Sequence, residues 1–176
     1  MILMTIMKGK IFCIYIAVLF SVNSLAQKAG NTSGENSFFP ILAWDDVRDA
    51  ATIKKMADCG INLIAFVPPA LLDVCQANKV KAILFDDKVT PRWDSAFNAG
   101  KGTPAIRGLV KKYNRHPAVF GYHLKDEPDG NQLSELGKTA RLVNEIAPGK
   151  WAYINLPPGM GAWYDSTYVQ LFVDQC

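Results

Sequence analysis

Five short apolar runs, each followed by a stretch with apolar residues at helical spacing, constrain this chain more than any other feature. The runs are Phe39–Trp44, Ile61–Val67, Val80–Phe85, Pro117–Leu124 and Trp151–Leu156. Their apolar residues fall on both faces, as in strands covered on both sides. Between and after them, the spacing predicts helices over Asp46–Cys59, Ala70–Ala77, Pro104–Asn114, Asn131–Ala147 and Tyr164–Val173. The clearest is Asn131–Ala147, whose Leu133, Leu136, Ala140, Val143 and Ile146 share one face before Pro148-Gly149 ends it. Gly60 stands where a helix end wants a left-handed residue. Pro104 is expected in a first helical turn, where its missing N–H costs nothing, and Pro68-Pro69 shapes a turn.

Strands alternating with helices predict an α/β fold with a parallel sheet. Two architectures fit, an open doubly wound sheet and a (β/α)8 barrel. The open sheet usually carries a glycine-rich turn after its first strand. Here Trp44 is followed by Asp45-Asp46-Val47-Arg48, without glycine. A barrel needs about 250 residues for eight repeats, and this sequence has 176 residues. The expectation is a partial (β/α)8 barrel, its first five repeats, truncated before the remaining three.

Three segments are expected: a signal peptide over 1–26, a flexible lead-in over 27–37, and the barrel part over 38–176. Lys8 and Lys10 precede the apolar run Ile11–Val22, and Ser24-Leu25-Ala26 suits cleavage before Gln27. The run is shorter than the roughly 20 residues a membrane span needs, so no span is expected after cleavage. The predicted location is secreted or periplasmic. The lead-in Lys28–Ser37 is small and polar.

A formal charge of +3, two units of it from Lys8 and Lys10, comes with no basic stripe interleaved with aromatics, which argues against nucleic acid as a partner. Cys59, Cys75 and Cys176 are too sparse for a disulfide framework. Cys59 and Cys75 read as small buried residues or, in an oxidising compartment, as a bridge. Without CxxC or HExxH, and with only His116 and His123, no metal site and no cofactor are expected.

Chemistry concentrates where the fourth strand runs into Leu124-Lys125-Asp126-Glu127-Pro128. In parallel α/β folds, reactive groups stand at the C-terminal ends of strands. Strand side chains alternate between faces. With Glu127 on the barrel axis, Lys125 and His123 join it, and Leu124, Tyr122 and Phe120 face the helices. In the fifth strand Tyr153 and Asn155 share one face, and Ala152, Ile154 and Leu156 the other. A polar mouth of His123, Lys125, Glu127, Tyr153 and Asn155 follows. Asp86 or Asp87 lines it after the third strand, and Trp44 and Trp93 offer flat apolar faces on which a pyranose could stack. A competing role for Asp126, Glu127 and Asp129 is to meet the positive end of the following helix.

The segment Gly121–Pro128 resembles the fourth strand of the large clan of retaining (β/α)8 glycoside hydrolases, which carries Asn-Glu-Pro at this point. Tyr153-Ile154-Asn155-Leu156-Pro157 is similar to secreted bacterial relatives with a Lys-Asp-Glu-Pro version of the motif. The resemblance follows element order over Phe39–Cys176 and rests on one specific motif. It implies that Glu127 is the acid/base, and that Asp126 replaces an Asn that normally bonds a sugar hydroxyl. An ionised Asp can only accept, so the sugar contacts differ. Asp126, Trp44, His123, Lys125, Asp86 and Asn155 are the implied substrate-binding residues, and the partner is an oligo- or polysaccharide. The clan's nucleophile ends a seventh strand, outside this sequence, so the fragment is expected to be inactive alone. The alternatives are a non-catalytic carbohydrate-binding relative and an open α/β domain with another ligand.

Overall fold

A computed structural model of the protein describes residues 38–176 apart from 88, 90–98 and 160. The expected signal peptide, the lead-in and Trp93 lie outside the described residues. Pro40–Cys176 packs as one unit.

The elements follow the predicted alternation: β1 (Leu42–Ala43), α1 (Ala50–Asp58), β2 (Leu63–Val67), α2 (Leu72–Ala77), β3 (Lys81–Leu84), α3 (Ala99–Tyr113), β4 (Val119–Asp126), α4 (Leu133–Ile146), β5 (Trp151–Asn155) and α5 (Gln170–Gln175), the last entered through a π-helical segment, Tyr164–Val169. All five strands are parallel, in the order β1-β2-β3-β4-β5. Each crossover steps one place in the same direction. With the usual right-handed crossovers, every helix lands on one face of the sheet. A doubly wound sheet reverses its strand order at a switch point, and this one does not, so the open-sheet alternative falls.

The sheet is curled. Trp44, just past β1, has its ring 5.6 Å from that of Tyr153 in β5. In a flat sheet those strands would stand about 19 Å apart. The fold is an α/β half-barrel with its helices outside.

Period-two alternation divides the strand residues between the two faces. Ile64, Val67, Ala82, Leu84, Tyr122 and Leu124 form one apolar cluster with Ile53 of α1, Leu72 and Cys75 of α2, Ile106 and Val110 of α3, and Leu136, Ala140 and Val143 of α4. Leu63, Ala65, Phe66, Ile83 and His123 are equally buried but stand outside that cluster, on the concave side. Each fully buried aliphatic side chain contributes about 1.5–3 kcal/mol, so the helix-side cluster dominates the stability.

Local signals decide the ends. Asp49 caps α1, its Oδ1 accepting from the Thr52 N–H at 2.8 Å. Gly60 follows that helix at φ +87°, as the sequence predicts. Gly137 is required by packing: a Cβ there would sit 1.7 Å from the Gln175 carbonyl oxygen, so glycine lets α5 lie against α4.

Several expectations need correction. β1 is two residues long rather than Phe39–Trp44, because the Ile41 N–H is taken by the Asn62 side-chain oxygen at 2.7 Å. Pro104 lies inside α3, which starts at Ala99, and gives up one bond to the carbonyl of residue 100. Phe120 does not join the helix-side cluster. The β3–β4 register shifts between Ala82 and Ile83, and Phe120 packs edge-on against Trp151 at 4.6 Å. Cys75 is buried as expected, but Cys59 is exposed at the end of α1, and the two are unbridged.

The Tyr122 hydroxyl is buried with no hydrogen-bond partner among the described residues, in the middle of the helix-side cluster. A buried polar group left unpaired costs about 1–3 kcal/mol. Tyr122→Phe is therefore expected to leave stability unchanged or to raise it by about 1 kcal/mol. Urea denaturation of both proteins checks this, and a clear loss would show that the hydroxyl has a partner.

Candidate functional site

Every strand sends one ring onto the concave face near its C-terminal end. Trp44 and Phe66 stand edge to face with centroids 4.4 Å apart. Phe66 meets Phe85 at 5.3 Å and His123 at 4.8 Å. Phe85 and His123 are 5.4 Å apart, and Trp44 reaches His123 at 6.4 Å and Tyr153 at 5.6 Å. Edge-to-face pairs of this kind add about 0.5–1.5 kcal/mol each beyond their area.

Phe66 reaches the cluster at a backbone cost. Between Ile64 and Val67 the β2–β3 register shifts, and Phe66 sits there at φ +51°. The left-handed region costs an L-residue about 1–2 kcal/mol. The bulge turns the ring to the concave side while Val67 keeps its place against the helices.

Of the residues that the sequence points to, the structure brings Asp126 and Asn155 together. They are register partners across β4 and β5. The Asn155 amide donates to Asp126 Oδ1 at 2.8 Å. Tyr153, on the same strand, has its phenol pushed up first by burial and then by the Asp126 charge. Lys125 is buried, at 6% exposure, so it is not at an open mouth. His123 has no exposed surface and lies within the aromatic cluster. Trp44, at 37% exposure, is the rim of that cluster.

Glu127 is the first residue past β4. Its N–H donates to the Asn155 carbonyl at 2.8 Å, its φ is +43°, and its side chain is exposed. Alternation along β4 is already broken by the register shift between His123 and Lys125, so Asp126 rather than Lys125 stands beside Asn155, and Glu127 follows at its left-handed φ. The 3-10 turn Gly130–Gln132 runs directly into α4, with Asp129 at the turn's N-cap and no side-chain capping bond.

Two clefts open at this end of the sheet. One, of about 290 Å³, lies over β1–β3 and is lined by Asp46, Arg48, Phe66, Pro68, Phe85 and Asp87. It is Asp87, not Asp86, that reaches this lining. The other, of about 420 Å³, lies between the loops after β4 and β5, with Glu127, Asp129, Pro157, Trp163, Tyr164 and Tyr168 in its walls.

Two tyrosines from the π-helical segment hold the second cleft. The Tyr168 hydroxyl donates to the Pro128 carbonyl, and the Tyr164 hydroxyl to the Pro157 carbonyl at 2.6 Å. Their rings stack at 5.4 Å, 13° from parallel. A Cβ on Gly159 would lie 2.1 Å from the Tyr164 ring, so only glycine admits it there. Sequence reasoning missed this frame and missed Trp163. The spacing of Tyr164 and Tyr168 at i, i+4 was the available signal.

Comparison with protein-family models and with curated protein sequences gives no match. Among solved structures, the chain is similar to a β-glucuronidase of Parabacteroides merdae at 13% identity and a TM-score of 0.46. It is also similar to β-glucuronidase 3 of Bacteroides uniformis at 10% identity and a TM-score of 0.46. Each alignment covers 63% of this chain and 17% of the other.

Burial pushes the Tyr168 phenol up to about 12, with the neighbouring Tyr164, Asp129, Cys176 and Glu127 adding to it. A folded pKa above the unfolded value of about 10 gives stability that is fully present below pH 10 and lost as pH rises toward 12. Tyr168→Phe is expected to cost about 1 kcal/mol at pH 8 through the lost bond to Pro128. Its deficit should shrink between pH 10 and about 12. Denaturation midpoints across that range check the sign, and a deficit that grows with pH would contradict it.

Proposed function

We propose that this chain is the N-terminal part of an exported, retaining glycoside hydrolase, with Glu127 as the acid/base acting on an oligo- or polysaccharide. The observation that carries the reading is the position of Glu127: a carboxylate at the C-terminal end of β4, in a strained backbone conformation, exposed to a walled cleft. Left-handed strain on a non-glycine residue persists where the surroundings enforce it, and such residues concentrate at functional sites. The resemblance of the Lys125–Pro128 segment to the clan's acid/base motif supports the same assignment.

The chemistry asked of Glu127 is two proton transfers. A second carboxylate attacks the anomeric carbon while protonated Glu127 gives its proton to the departing glycosidic oxygen. The glycosyl-enzyme ester then meets water, ionised Glu127 takes the water's proton, and the nucleophile is released with configuration retained. The two carboxyl groups must stand about 5–5.5 Å apart. The resemblance assigns the nucleophile to a seventh strand, so the proposal includes three further β/α repeats beyond the five described. In this reading Asp126 and Asn155 act together: Asp126 orients the Asn155 amide, whose remaining N–H supplies the donor that Asp126 itself lacks.

A non-catalytic carbohydrate-binding relative is the second reading. It is favoured by the acceptor-only Asp126 where the resembled clan has Asn. One experiment separates the two. In the protein made from its whole reading frame, Glu127→Gln is expected to lower turnover of natural oligosaccharides by about 10²–10⁴-fold. The loss should be smaller on nitrophenyl glycosides, whose leaving group needs no proton, and azide should partly restore turnover of those. Full activity in Glu127→Gln would remove the assignment. Sugar binding by the unaltered protein without any cleavage would establish the binding reading.

A further inference from the structure

We propose that the cleft beside Glu127 is a subsite for an uncharged pyranose, with Trp163 as its stacking platform, and that it excludes uronic acids. The proposal rests on the carbohydrate reading above and adds which sugars the site takes.

The first observation is Trp163 itself. It is 72% exposed, one of the most exposed large apolar side chains of the fold, yet it does not sit on a loose loop. It stands immediately before the π-helical segment, next to Tyr164. Tyr164 is bonded to Pro157 and packed on Gly159, and Tyr168 is bonded to Pro128. An indole left in water costs hydrophobic free energy that burial would recover. Held on a rigid frame, it presents a flat apolar face at little further entropic cost on binding. The C–H face of a pyranose matches such a surface in size and polarity.

The second observation is charge. Glu127 and Asp129 are the charged side chains among the described residues lining this cleft, and no Lys, Arg or His is among them. Carboxylates accept hydrogen bonds from sugar hydroxyls. A uronate here would meet Asp129, and Glu127 whenever it is ionised, with no counter-ion among the described lining residues, and such like-charge juxtaposition is unfavourable. The cleft, at about 420 Å³, has room for a sugar unit beside Glu127.

The test uses hexamers of neutral sugars (gluco-, manno- and xylo-oligosaccharides) and a galacturonic acid hexamer. Binding to the protein is followed by tryptophan fluorescence and calorimetry. At least one neutral hexamer should bind, and the galacturonide at least tenfold more weakly. Trp163→Ala should weaken the neutral ligand at least tenfold with an unchanged thermal midpoint, since the side chain is exposed. Trp163→Phe should lose less than threefold, and Asp129→Asn should narrow the preference for neutral sugar. If a neutral hexamer binds and Trp163→Ala makes no difference, or if the galacturonide binds as tightly, the subsite is overturned and the carbohydrate reading stands. If no hexamer binds, both fall.

Discussion

The contact between Trp44 and Tyr153 joins the two edges of a five-stranded sheet. Everything else in the fold is consistent with it. Strands in sequential order can lie flat or curl. The curl brings one ring from every strand into a single cluster on the concave face, with ring pairs 4.4–6.4 Å apart. Helices on the convex face supply the larger apolar cluster. The strand ends are thereby gathered at one mouth, and the residues just past β4 and β5 face each other across a cleft.

Two residues at that mouth, Phe66 and Glu127, are non-glycines at positive φ. At about 1–2 kcal/mol each, they are a noticeable fraction of the net stability of a domain this size. Phe66 gains ring contacts with Trp44, Phe85 and His123 in exchange. Glu127 gains only a backbone bond to Asn155 and keeps its side chain in solvent. Packing accounts for the first strain but not for the second. Lys79, exposed at φ +58°, shares that conformation away from the mouth, so what distinguishes Glu127 is its place past β4 beside the cleft.

The alternation of elements, the helix faces and the Gly60 and Gly149 ends were all legible in the sequence, because they depend on local periodicity and local φ preferences. Parity along β4 correctly separated Tyr122 and Leu124 from His123 and picked out Asn155, but it set Asp126 on the opposite face. Asp126 came from the resemblance, and the structure pairs it with Asn155 after a register shift between His123 and Lys125. Parity failed at Phe120 and could not foresee Phe66, because a bulge depends on what the neighbouring strand requires. The placement of Pro104 and the shortness of β1 were hidden for a similar reason: each is settled by a tertiary partner or by helix propagation upstream. Trp163 was invisible as a site residue because its position is set by two tyrosine hydroxyls reaching the carbonyls of Pro128 and Pro157. No sequence pattern encodes those bonds.

The curl is the claim on which the mouth, the cleft and the site all depend. A double-mutant cycle between Trp44 and Tyr153, using the leucine variants singly and together, measures it directly. Rings in contact predict a coupling free energy of about 0.5–1.5 kcal/mol. Strictly additive effects would mean that the two edges of the sheet do not meet, which would contradict the half-barrel.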